Sequence, residues 1–181
     1  FFYTTVAYPY FQETTFNGPV SFEGMTVSQS FELNDISYNY TEEPFPVILA
    51  KVDGNVIFTG LTAPAGLQLS TSHFGSLSIS TKENPKIAFI DLTGTNIDGD
   101  LQVENVNMKS FLAEGVSVGE STGLSHVTIT DKLDLRNASI GFLKVDEQLQ
   151  WPHDPQAFNL RGMTYSDIDL GNQGLTEDTW Q

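Results

Sequence analysis

Pairs of apolar residues, separated by one residue within each pair, recur in steps of five through most of this chain. Leu101/Val103, Val106/Met108, Phe111/Ala113 and Val116/Val118 follow one another in this way. Leu133/Leu135, Ala138/Ile140 and Leu143/Val145 repeat the pattern, as do Val20/Phe22, Met25/Val27, Phe31/Leu33 and Ile36/Tyr38 with small slips. A helix repeats every 3.6 residues and a strand every 2, so neither alone produces such a beat. Short strands that each turn two side chains inward before a corner do produce it. The beat therefore predicts a solenoid, in which every coil completes its core against its neighbours. Four pairs would make a coil of about 20 residues, and parallel strands about 4.8 Å apart would stack seven or eight coils into a rod of about 35 Å.

Composition supports a β chain. Charged residues make up only 17% of the sequence, and Ser, Thr, Asn and Gly fill the polar positions where long exposed helices would use Glu, Lys and Arg. The 181 residues suit one domain. A short-stranded β-sandwich is the alternative fold, but it would need several hairpin turns, and Asn17-Gly18 is the only Asn-Gly dipeptide. Cysteine is absent, which excludes disulfides and thiolate metal sites. A net charge of −15 and only eight Lys and Arg disfavour binding to nucleic acid or anionic lipid, because phosphate contacts need clustered cations. No apolar run reaches the length of a membrane span. The first residue is Phe1 rather than Met, as expected of a processed or trimmed chain.

Along the chain, residues 1–15 read as an extended aromatic arm or cap, residues 16–172 as the solenoid, and residues 173–181 as a tail whose Thr176-Glu-Asp resembles a helix start. Two prolines make Asn39–Lys51 read as a loop or insertion. Thr81–Lys86 and Gln148–Pro155 read as further excursions. Glycines at Thr93-Gly94, Asp98-Gly99, Glu114-Gly115 and Thr122-Gly123 mark corners, where positive φ suits glycine.

Phe16-Asn-Gly-Pro-Val-Ser-Phe-Glu-Gly-Met25 and Lys132-Leu-Asp-Leu-Arg-Asn-Ala-Ser-Ile140 resemble pentapeptide-repeat proteins and their looser relatives. The closing LDLRNASIGFLKVDEQLQWP and FNLRGMTYSDI resemble bacterial β-helix proteins often labelled membrane-associated oxidoreductases. The resemblance implies an all-β, right-handed parallel β-helix with loop insertions. Val20, Leu101, Val106, Val116 and Leu133 stand where pentapeptide repeats usually place a small residue, which implies a wider cross-section.

The residues do not supply redox chemistry. A dinucleotide site needs G-x-G ahead of a helix, and no two glycines here lie two apart. His73, His126 and His153 lack metal-ligand spacing. Ser125, His126 and Asp131 are the residue types of a nucleophilic triad, yet neighbours on a strand face opposite ways, which leaves them as surface polar residues. Asp98/Asp100 and Asp167/Asp169 are the candidates for a hard cation such as Ca²⁺, although Asp-Gly is also a good turn. Asp91, Asp98, Asp131 and Asp134 could line one face as carboxylate pairs for glycoside hydrolysis, against a plain reading as solvated acids. Sequons occur at Asn39 and Asn137.

No catalytic residue, cofactor or metal is assigned. The expected role is a non-catalytic structural or protein-binding β-helix within a larger or assembled bacterial surface or envelope protein. Its partner would be a protein, or another copy met through the solenoid ends, and the expectation extends to an extracytoplasmic or cell-envelope setting. The alternatives are an acidic mimic of nucleic acid, which would show a continuous negative stripe, and a polysaccharide-acting β-helix enzyme, which would show two facing carboxylates in a cleft.

Overall fold

A computed structural model describes residues 1–82 and 86–171. The chain winds as a parallel β-solenoid of about seven coils. Every strand pairing among the described residues is parallel, which rules out a sandwich of hairpins. One row of stacked residues runs Thr5, Thr26, Lys51, His73, Asn96, Ser117, Ser139 and Thr164, advancing one coil at each step. The spacing is roughly 22 residues rather than 20, because corners and short loops add to the four pairs.

Two adjacent faces share an 11-stranded sheet, whose long members Lys51–Thr59, His73–Ser80 and Ser117–Ser125 bend across both. A six-stranded sheet from Phe45–Pro46 to Phe158–Asn159 covers the other side, and Thr15–Phe16 pairs with Ser37–Tyr38 in a third. The inward pairs fall four to a coil. In one coil they are Thr95/Ile97, Leu101/Val103, Val106/Met108 and Phe111/Ala113, all buried. The apolar beat thus arises because each short strand points two side chains at the axis.

The core changes along its length. Rings of Phe22, Phe31, Tyr38, Phe45 and Phe58 contact one another in the first coils, and later Leu, Val and Ile predominate beside Phe74 and Phe111. Where inward positions are polar, the backbone answers them. The single Ser72 hydroxyl hydrogen is shared between the Val47 and Ser70 carbonyls, each 3.2 Å away, and the Thr95 hydroxyl donates to the Leu69 carbonyl at 2.8 Å. The buried Thr122 hydroxyl has no partner.

Two corners turn through the left-handed region. Tyr3, Gly24, Leu49, Thr71, Gly94, Gly115, Asn137 and Gly162 stack at one, and Glu13, Asp35, Gly60, Asn105 and His126 at the other. A third bend relies on glycine for closeness instead. A Cβ on Gly75 would sit 2.6 Å from the Gly54 carbonyl oxygen, and one on Gly54 or Gly119 would collide with the carbonyls of Gln29 or Asp98.

Three expectations change at this level. Residues 1–16 do not lie apart from the beat: Thr5–Val6, Tyr10–Gln12 and Thr15–Phe16 pair in register with the next coil. Within Asn39–Lys51 only the first residues leave the coil, since Phe45 and Val47 are buried and Phe45 stacks on Leu67. Gln148–Pro155 likewise contains buried Leu149 and a bridge from Gln150 to Thr128, and the true excursion follows Trp151. There Asp154 caps a short turn at Pro155–Ala157. Residues 83–85 of the Thr81–Lys86 excursion and the tail after residue 171 lie outside the described residues.

Candidate functional site

The second left-handed corner gathers the densest chemistry. His126 has φ +54, so its side chain swings toward that of Ser125 instead of away from it. The Ser125 hydroxyl lies 3.0 Å from His126 Nδ1 and donates to Asp146 Oδ2 at 2.9 Å. The same carboxylate oxygen is 3.1 Å from His126 Nδ1 and accepts the His126 backbone N–H at 2.9 Å. The expectation that Ser125 and His126 face opposite ways is therefore wrong, because the strand ends at Ser125 and the corner begins at His126. Asp146, from the next coil, is the third member. Asp131 instead accepts from the Thr130 hydroxyl at 2.6 Å.

This cluster is not a nucleophilic triad. A triad places the hydroxyl and the carboxylate on opposite ring nitrogens, so the base can take the hydroxyl proton while the acid steadies it. Here both sit at Nδ1, and the hydroxyl gives its hydrogen to Asp146. Burial acts to raise the pKa of Asp146, but the Ser125 hydroxyl, the N–H groups of His126 and Gln148 and the His126 charge hold it below the usual range. The arrangement locks the imidazole; it does not activate the serine.

His73 forms a similar bridge between coils. Its Nε2 meets Asp98 Oδ2 at 2.9 Å, and Asn96 Nδ2 donates to Asp98 Oδ1 at 2.8 Å. Asp98 and Asp100 do not converge on one point: Asp100 turns to the next coil and accepts the Ser121 N–H at 3.0 Å and the Ser121 hydroxyl at 2.5 Å. Asp167 and Asp169 each accept a nearby backbone N–H. Among the described residues no group of three or more His, Asp or Glu is placed to hold a metal ion.

The other proposed carboxylate line is also divided. Asp91 closes a turn by accepting the Thr93 N–H at 2.9 Å. Asp134, with a side chain only 4% exposed, is held by Arg136 and Lys132. Burial acts to raise its pKa, and hydrogen bonds from Arg136 and Lys132 more than reverse this, setting it at about 2. Arg136 also binds Glu114 at 2.5 Å, so the two neighbouring carboxylates flank a guanidinium rather than a substrate.

The acids do not stack into a stripe on the sheets that the strands share. The row Tyr10, Glu32, Ile57, Ser78, Gln102, Gly123, Lys144 and Asp169 is acidic only at Glu32 and Asp169. The Thr5–Thr164 row carries no acid at all. Both sequon asparagines, Asn39 and Asn137, are exposed.

What the structure does leave open is the first coil. Phe1, Phe2, Tyr3, Tyr8 and Tyr10 are exposed large side chains, with Phe2 at 59% and Tyr3 at 66%. Phe1 stacks on Phe22 at 5.5 Å and meets Phe11 edge-on at 5.8 Å, so these rings continue the aromatic core to its end. Thr5–Val6 and Tyr10–Gln12 each pair on one side only, leaving outward-facing edges. No helix among the described residues is long and apolar enough to cross a membrane. No protein family matches the chain, and neither curated proteins nor solved structures yield a similar one.

Proposed function

We propose that this chain is a non-catalytic structural module that binds protein, including a second copy of itself, through the ends of its solenoid. One observation carries the reading: the first coil combines unpaired strand edges with clustered exposed aromatic rings. Strand edges template further strands, and an apolar patch of this kind is a common mark of an interface. The splitting of the carboxylates by Arg136 and the misplacement of Ser125 on the imidazole weigh against an enzyme. The broken acidic rows weigh against nucleic-acid mimicry. The five-residue beat and the closing segments support kinship with pentapeptide-repeat-like bacterial proteins, and with it a place in a larger or assembled surface or envelope protein.

The test is sedimentation of the intact chain over a wide concentration range, beside a Phe2→Ser/Tyr10→Ser variant. The intact protein should associate with rising concentration, and the variant should remain monomeric with an unchanged circular dichroism spectrum. An intact chain that stays monomeric at millimolar concentration overturns self-association.

A further inference from the structure

The Ser125–His126–Asp146 corner opens onto a groove of about 390 Å³ that the reading above leaves unused. Its walls come from three successive coils held in register by the backbone. Asn105 donates its backbone N–H to the Ser125 carbonyl at 3.0 Å, which sets it beside His126. Thr128 pairs with Gln150 through a parallel bridge, and buried Leu149 lies between the two exposed amides of Gln148 and Gln150. The positions are fixed by main-chain bonds, so the groove does not depend on a loop folding over it.

The chemistry of the lining is narrow. No hydrogen bond within the described residues engages the side chains of Asn105, Thr128, Gln148 and Gln150, and all four residues line the groove. Each amide offers both donors and an acceptor, and the threonine hydroxyl offers both as well. No Lys or Arg lines the groove, and Glu147 is the only charged carboxylate there, which disfavours phosphate and carboxylate ligands. His126 adds a polar ring nitrogen. An ionised carboxylate can only accept, so Asp146 keeps a hydrogen on Nδ1, and Nε2 accepts from a ligand when the ring is neutral and donates to it when the ring is charged.

We propose that this groove binds a neutral oligosaccharide. Sugar hydroxyls are donor and acceptor at once and occur at adjacent carbons, which matches a wall of three amides and one hydroxyl beside an imidazole. The absence of an exposed aromatic ring among the lining residues places the affinity low, on the order of millimolar.

The test is a backbone-amide NMR titration of the intact chain with maltotriose, cellotriose and chitotriose, and with inorganic phosphate as contrast. At least one trisaccharide should give saturable shifts centred on residues 105, 126, 128 and 148–150, and phosphate should give none there. Gln148→Ala and Gln150→Ala alter exposed side chains and should leave the rest of the spectrum in place. Each should weaken binding roughly fivefold, the effect of one lost hydrogen bond. The Phe2→Ser/Tyr10→Ser variant should bind the sugar as the intact chain does, so failure of end-to-end association leaves this result independent. No saturable shift with any of the three sugars at tens of millimolar, shifts centred elsewhere, phosphate binding in the groove, or undiminished binding by both variants would each overturn the proposal.

Discussion

At the scale of single residues, the left-handed corners carry the sharpest consequences. Thr71 has φ +57, a conformation that costs an L residue about 1–2 kcal/mol and crowds a β-branched one most. Its side chain is exposed, and its backbone N–H bonds the Thr93 carbonyl at 2.9 Å, which glycine would retain. Thr71→Gly should therefore stabilise the protein by about 1 kcal/mol, and Gly94→Ala should cost about as much. A Cβ on Gly94 would meet nothing within 4 Å, so strain alone is tested there. Urea denaturation of both variants checks the pair, and a change of the same sign in both would refute the assignment. Asp134 gives a second prediction. Its folded pKa of about 2 lies below the ordinary 3.8, so its contribution is complete above that value and lost as pH falls through about 2. The amount is on the order of 2 kcal/mol. Asp134→Asn should remove that share of the acid dependence, so its stability curve should be flatter than that of the parent between pH 4 and pH 2. Parallel curves would show that the carboxylate is not held by Lys132 and Arg136. The Ser125–His126 encounter was legible in principle. Two residues after the inward Phe11, Leu33, Phe58 and Val103 stand Glu13, Asp35, Gly60 and Asn105, a slot rich in turn formers. His126 occupies that slot after Leu124, and histidine tolerates positive φ better than most residues.

At the scale of the strand and its corner, the sequence beat located the core closely. Leu101, Val103, Val116, Val118, Leu133 and Leu135 are all buried, as their spacing predicts. Leu133 stacks between Phe111 and Phe158, so Leu133→Ala should cost roughly 2–5 kcal/mol in chemical denaturation. Thr122 sits inward one coil beyond Leu101 with its hydroxyl unmet, and Thr122→Val should gain up to about 1 kcal/mol. A negligible effect at Leu133 would place the inward register one residue out. The elements missed were those whose local chemistry argued against a strand. Pro44 and Pro46 hid the inward Phe45 and Val47, and Pro152 hid the inward Leu149. Proline removes a backbone donor without changing which way its neighbours point, so a propensity reading and a facing reading diverge at such places. In residues 1–16 the abundance of aromatic side chains masked the same five-residue spacing.

For the whole molecule, charge and shape act against each other. A net charge of −15 repels a second copy, whereas in the proposed association the exposed aromatic rings of the first coil would attract one. Salt screens the first and leaves the second, so association through the ends should strengthen as ionic strength rises. The class of fold followed from spacing alone because a solenoid writes one rule into every coil. Its ligands do not follow, because the outward positions are free to differ: the same row holds threonine at Thr5, lysine at Lys51, histidine at His73 and serine at Ser139. The register that stacks these coils also decides how the molecule bears load. Its hydrogen bonds run along the axis, and each coil is held only by the coil on either side. Tension between the two ends is therefore carried through a series of similar links, with no long-range tie to share it. The rod should give way one coil at a time, each yielding about 22 residues, or about 75 Å of slack, while the remainder stays folded.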